Sequence, residues 1–282
     1  MLKKVFLDAT GSIRNGWKIL GFAALLYFCM LLFGLFGLWQ RFSFEWAMTL
    51  AVLAATVLCL RLERAPWPRP GLKPSLRWGA EFAVGSLGGL LLMLLVAGCI
   101  FALHGFHWQR GGGATMQELM AGAWLYLAVA INEELLFRGY VFQRLFKGTG
   151  TWISLALMGL WFASAHWDNP GMTGAVKAWA TLNIFLAGLL LGLAYLKTRR
   201  LALPMGIHLG WNWAQGSLLG FGVSGTMDTR GWVQPIFEGR PDWLTGGAFG
   251  LEASLPCALL CGLAILGLAF WKPRLEDTSG HA

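Results

Sequence analysis

The sequence predicts an all-α, polytopic transmembrane helical bundle of about eight spans, and three observations carry that prediction. The chain is 56% hydrophobic and only 13% charged, roughly half the charge of a typical soluble domain. Several apolar runs reach the ~20 residues needed to cross a hydrocarbon layer. Basic residues gather in the short segments between those runs, on alternate sides. That placement also accounts for the formal net charge of +8. The charge reads as membrane topology, and nucleic acid is excluded as a partner.

The predicted spans lie near 18–39, 44–60, 79–103, 118–137, 152–167, 178–196, 203–221 and 247–271. With the N-terminus inside, only Arg41, Arg110, Lys177, Arg230 and Arg240 of the 22 Lys and Arg fall outside. Both termini are therefore expected in the cytoplasm. Met1–Lys18 has no short apolar core followed by a small-residue cleavage site, so the first run reads as a retained helix. The chain is expected to form one integral membrane domain, 1–282. It divides into a three-span region 1–117, a core 118–225 that carries the polar motifs, and an outer loop with the last span, 226–282.

Several features suggest no chemistry of their own. The basic segment from Arg61 to Trp78, with Pro66, Pro68, Pro70 and Pro74, reads as a stiff cytoplasmic connector. Trp17, Trp39, Trp46, Trp78, Trp152, Trp167, Trp179 and Trp271 fall near span ends, where an indole is half wet. Cys29, Cys59, Cys99, Cys257 and Cys261 all lie in apolar runs and read as small buried hydrophobes. The outer loop from Gly222 to Gly246 reads as an ordinary loop, with an interfacial cap as the alternative. The chain carries no phosphate-binding P-loop.

The polar residues inside the spans are few, and they carry the functional argument. Glu133 and Glu134 end the apolar run Leu119–Ile131, where each charge costs at least ~2.5–3.5 kcal/mol on insertion scales. Arg138 lies four residues after Glu134, on the same helix face, and predicts an ion pair. Glu133 points about 100° away and is left free for chemistry. His208 and Asn212 share a face of the seventh span, while His166 closes the run that begins Trp161-Phe162. At ~1.5 Å rise per residue, Glu133, His208 and Asn212 share a layer in the inner half of the bilayer. His166 comes out too deep to meet Glu133 comfortably. A buried acid with two histidines and an asparagine suits activation of a water and stabilisation of an oxyanion. A divalent metal held by Glu and two His is the alternative. A His-Glu-x-x-His motif is absent, so the expected cofactor is none.

Glu133-Glu134-x-x-x-Arg138, Phe162-x-x-x-His166 and His208-x-x-x-Asn212 together resemble the three motifs of the CPBP family of intramembrane proteases, also called the CAAX protease or Abi family. The flanking Phe137-Arg138-Gly139-Tyr140 and Gly220–Gly225 agree, and the resemblance covers about Trp124 to Gly225. The resemblance implies an eight-helix endopeptidase related to the type II CAAX prenyl endopeptidase, in the bacterial plasma membrane. It implies that Glu133 and His166 activate water and that His208 and Asn212 form the oxyanion hole. Glu134, Arg138 and Phe162 support the site, and by analogy its cavity opens to the cytoplasm. The implied substrate is a peptide or membrane-anchored protein, with no prenyl group carried over. Two non-protease alternatives stay open at this point: a membrane scaffold or bacteriocin self-immunity protein, and a transporter with an acid–histidine proton relay.

Overall fold

A computed structural model describes residues 5–66, 71–109 and 113–272. The helices follow the apolar runs, with polar residues fixing their ends. Helix α1 spans Asn15–Leu35, and a single helical turn at Leu38–Arg41 leads to α2, Phe44–Leu62. Ser43 caps α2 by accepting from the Trp46 amide, and Ser75 caps α3, Leu76–Ala102, through the Trp78 amide. Helix α4, Met116–Glu134, starts in a reciprocal Thr115–Glu118 capping box, which satisfies two otherwise orphaned donors. A π turn at Leu135–Gly139 then joins it without a break to α5, Tyr140–Thr149.

Gly150, at φ +81°, reverses the chain into α6, Thr151–Ser164. Helix α7 spans Gly174–Thr198, and α8 spans Ala202–Trp213 and runs into a second π turn at Ala214–Leu218. Helix α9, Leu255–Phe270, is capped by Ser254. Among the described residues, five helical segments are long and apolar enough to cross a membrane: α1, α2, α3, the joined α4–α5 and α7. The predicted spans at 152–167 and 247–271 are the shorter apolar helices α6 and α9, and the one at 203–221 is α8 with its π turn. Outward-facing leucines such as Leu87, Leu91 and Leu95 on α3 and Leu259, Leu263 and Leu266 on α9 form exposed apolar stripes. Stripes of that extent are covered by lipid in an integral multi-pass protein.

The most extensive helix pairing is α3 against α8. It depends on two glycine pairs, Gly85/Gly89 and Gly206/Gly210, whose added Cβ atoms would overlap the facing backbone. Such small-xxx-small faces let helices approach closely where lipid removes any hydrophobic drive to associate. The buried side chains form two clusters. One joins α1, α2, α5, α6 and α7 around Phe22, Phe142 and Phe162. The other joins α3, α7, α8 and α9 around Met93, Leu191 and Trp211. The candidate site lies on the seam between them.

Several expectations need correction. Arg138 and Arg144 are not loop residues: both are buried inside the continuous α4–α5 segment. Arg144 pairs with Glu63, which also takes the Tyr140 hydroxyl. The charges stay helical because each finds an acid, Glu134 fully buried and Glu63 partly so. Cys99 is exposed, since it sits on the outward face of α3; the other four cysteines are buried. The outer loop is more than a connector. Its Gln234–Phe237 strand, β2, pairs antiparallel with β1, Phe106–Gln109, and its start folds over the site. Pro68, Arg69, Pro70, Arg110 and both predicted cytoplasmic termini lie outside the described residues.

Candidate active site

Two helices deliver the acidic and the imidazole groups, and each carries a π turn just after them. Glu133 and Glu134 close α4, and the π turn that follows holds Arg138. His208 and Asn212 lie on α8, directly before the second π turn. The extra residue in a π turn shifts the helix face, and such turns recur at functional sites.

The first layer is a buried ion-pair network centred on Glu134 Oε1; Glu134 Oε2 has no hydrogen-bond partner among the described residues. Glu134 is fully buried and Arg138 is 1% exposed. Arg138 Nη1 donates to Glu134 Oε1 at 2.8 Å, and Nη2 donates to the Gly188 carbonyl of α7 at 3.3 Å. The guanidinium carbon stacks 4.6 Å from the Phe162 ring centroid. His208 Nδ1 lies 3.0 Å from the same Glu134 oxygen, and because a carboxylate only accepts, the ring donates there. The pairing expected from the Glu134/Arg138 spacing is present, with the histidine as a third member. A buried pair of this kind is tolerable only when its remaining donors are satisfied, and Gly188 satisfies one of them.

The second layer faces a cavity of about 300 Å³. Glu133 Oε2 lies 3.6 Å from His208 Nε2 and has no hydrogen-bond partner among the described residues. Glu133, His166, His208 and Asn212 all line this cavity, as does Phe162. Glu134 and Arg138 do not; they lie behind His208, on its Nδ1 side. Phe162 wedges between the imidazoles, 4.9 Å from the His166 ring and 6.3 Å from that of His208. His166 Nδ1 is 2.8 Å from the Phe162 carbonyl. A carbonyl only accepts, so Nδ1 carries the proton and Nε2 keeps its lone pair.

His166 and Glu133 therefore line one cavity, and the hairpin geometry accounts for their similar height. The depth estimate ended the fourth span at 137, but the helix continues to Thr149. Glu133 and His166 then lie almost equally far from the reversal at Gly150, roughly 24–25 Å of helix rise on each arm. Equal distances along antiparallel arms give equal height. Glu133 lies midway along the continuous segment Met116–Thr149.

Sequence reasoning missed part of the lining. Glu252, in the 3₁₀ turn Leu251–Ala253, is buried. It accepts from Trp211 Nε1 at 3.1 Å and from the Ser224 amide at 2.6 Å and hydroxyl at 3.0 Å. Asn169 Nδ2 in turn donates to the Ser224 carbonyl at 2.8 Å. This web ties the 166–173 turn, α8 and the outer loop around the cavity. An acid inside the predicted span 247–271 was the available signal, the same kind that singled out Glu133. Among the described residues, no three His, Cys, Asp or Glu side chains are grouped so as to hold a metal ion.

The fold and site together define a polytopic helical membrane protein with a buried acid–histidine centre. Residues 115–214 match the family model described as type II CAAX prenyl endopeptidase Rce1-like. The matched stretch runs from the capping box of α4 through the second π turn's first residue, and it contains all three motifs. It makes up about a third of the chain. At family level it supports a CAAX-type intramembrane protease acting on a protein or peptide. No curated protein matches the chain.

Proposed function

We propose that this protein is an intramembrane endopeptidase in which Glu133 is the general base, acting on a peptide or membrane-anchored protein without a metal cofactor. One observation carries the reading: Glu133, whose Oε2 is buried without a hydrogen-bond partner among the described residues, and His166, whose Nδ1 is held by the Phe162 carbonyl, line one cavity beside His208. Glu133 takes one proton from a water, and His166 Nε2 accepts a hydrogen bond from the other. The water oxygen forms a bond to the scissile carbonyl carbon, and the carbonyl π electrons move to oxygen. Asn212 and His208 donate to that oxyanion; His208 does so only when doubly protonated, with Nδ1–H held by Glu134. Two carboxylates, one guanidinium and one imidazolium leave this centre neutral, which suits a desolvated site. The C–N bond then breaks, and the departing amine takes the proton from Glu133. Glu134, Arg138 and Phe162 position His208.

The test is hydrolysis of a peptide library by the purified protein in detergent. Glu133→Gln is expected to lower kcat by about 10²–10⁴ with an unchanged melting temperature. Wild-type turnover by that variant removes Glu133 from the mechanism. Activity lost to a chelator and restored by zinc replaces the acid–base route with metal activation of the water.

A further inference from the structure

The two ends of the bundle differ in charge, and the cavity opens at only one of them. One end is defined by the Glu63–Arg144 pair, Arg200 on Glu81 at 3.0 Å, and Lys197 Nζ on the Ala269 and Trp271 carbonyls. At the other end, β1 pairs with β2, the Ala114 amide donates to Gly231, and Asn169 reaches Ser224. Among the described residues, Arg41, Lys177, Arg230 and Arg240 are the only Lys or Arg at that second end. Every other described Lys or Arg, apart from the buried Arg138, lies at the first. Short segments rich in Lys and Arg face the cytoplasm.

The cavity meets the surface at the second end, where it is lined by the exposed Phe44 together with Glu45, Thr226 and Asp228. The buried Glu134–Arg138 pair, toward the basic end, does not line it. Its charged or ionisable lining is Glu45, Glu133, Asp228 and Glu252 with two histidines and Tyr126, and among the described residues it includes no Lys or Arg. Arg230, the nearest candidate cation on the outer loop, is engaged with Glu118 at 4.0 Å. A chain cut three residues from its C-terminus would place its carboxylate within ~10 Å of the scissile bond, among these acids. The 1%-exposed Asn183 also lines the cavity. Its Nδ2 is fixed by the Ser254 carbonyl at 2.9 Å, and its Oδ1 has no partner among the described residues.

We propose that the cavity is entered from the extracytoplasmic side, and that it takes an internal peptide segment with flanking basic residues rather than a chain ending in a free carboxylate nearby. This rests on the endopeptidase reading, and it departs from the cytoplasmic opening implied by the family resemblance. The acidic rim attracts and orients a cationic segment, and it repels a terminal carboxylate.

Two measurements test it. In a Cys99→Ala background, Thr226→Cys and Lys147→Cys variants are exposed to a membrane-impermeant maleimide on intact cells. Thr226→Cys is expected to label at once, and Lys147→Cys only after permeabilisation; the reverse order overturns the entry side. Lysine-flanked peptide is expected to protect Thr226→Cys from labelling in detergent, and glutamate-flanked peptide is not. In turnover, wild-type protein is expected to prefer the lysine-flanked peptide by about tenfold in kcat/KM, a preference that largely disappears in Glu45→Gln/Asp228→Asn. Equal protection by both peptides, or faster cleavage beside a free C-terminal carboxylate, overturns the substrate class. Protection without hydrolysis of any peptide leaves entry and charge selection standing and instead refutes the endopeptidase reading.

Discussion

Glu133 and Glu134 are neighbours in sequence and opposites in structure. Glu134 has no exposed surface, and it shares one oxygen between Arg138 and His208. Each keeps one oxygen without a partner among the described residues, but the Glu133 side chain remains 22% exposed, and Glu133 lines the cavity. The same residue type does two kinds of work here because a helix turns its successive side chains ~100° apart. One side of His208 is a closed structural network, and the other is open to chemistry.

The sharpest way to break this contrast is Arg138→Ala. It strands a buried carboxylate against His208, and stability is expected to fall by about 3–5 kcal/mol, read as a lower melting temperature in detergent. Glu134→Gln in the same chain is expected to recover part of that loss. If Arg138→Ala instead melts like wild type, the closed side is not structural.

A middle-sized effect is expected from Gly206→Ala. Its methyl would meet the Phe82 carbonyl of α3, forcing α8 and its histidine aside at a cost of about 1–3 kcal/mol. Stability should fall, and kcat should fall further than it does for an alanine at Gly262, where an added Cβ meets nothing.

Phe162→Leu is the mildest change. It removes the ring under the guanidinium and between the imidazoles, with an expected loss of about 0.5–2 kcal/mol. It is expected to lower kcat through the position of His166 more than it lowers KM. A change confined to KM would assign Phe162 to substrate contact.

The closed side was legible from sequence because it is local. The four-residue spacings of Glu134 with Arg138, and of His208 with Asn212, translate directly into shared helix faces. The open side was legible only in part. His166 looked misplaced because the basic residues Arg138, Arg144 and Lys147 read as a loop, which hid the continuation of the helix to Thr149. Long-range partners such as Glu63 make those charges tolerable, and periodicity does not reveal them. Glu252 was hidden by its surroundings. It lies between glycine-rich turns and the last apolar helix, and its donors, Trp211 and Ser224, are 41 and 28 residues away. The β1–β2 pair is equally non-local, joining segments more than 120 residues apart.

The reversal at Gly150 acts as the zero mark of a ruler along which acid and imidazole are registered. Removing one helical turn from α5 alone would slide Glu133 past His166 by about 5.4 Å, enough to separate a base from the water it shares. Removing a turn from each arm would keep the two in step. Length changes near this hairpin are therefore expected to be tolerated in matched pairs. A chain shortened by four residues in α5 should regain activity when α6 is shortened by four as well.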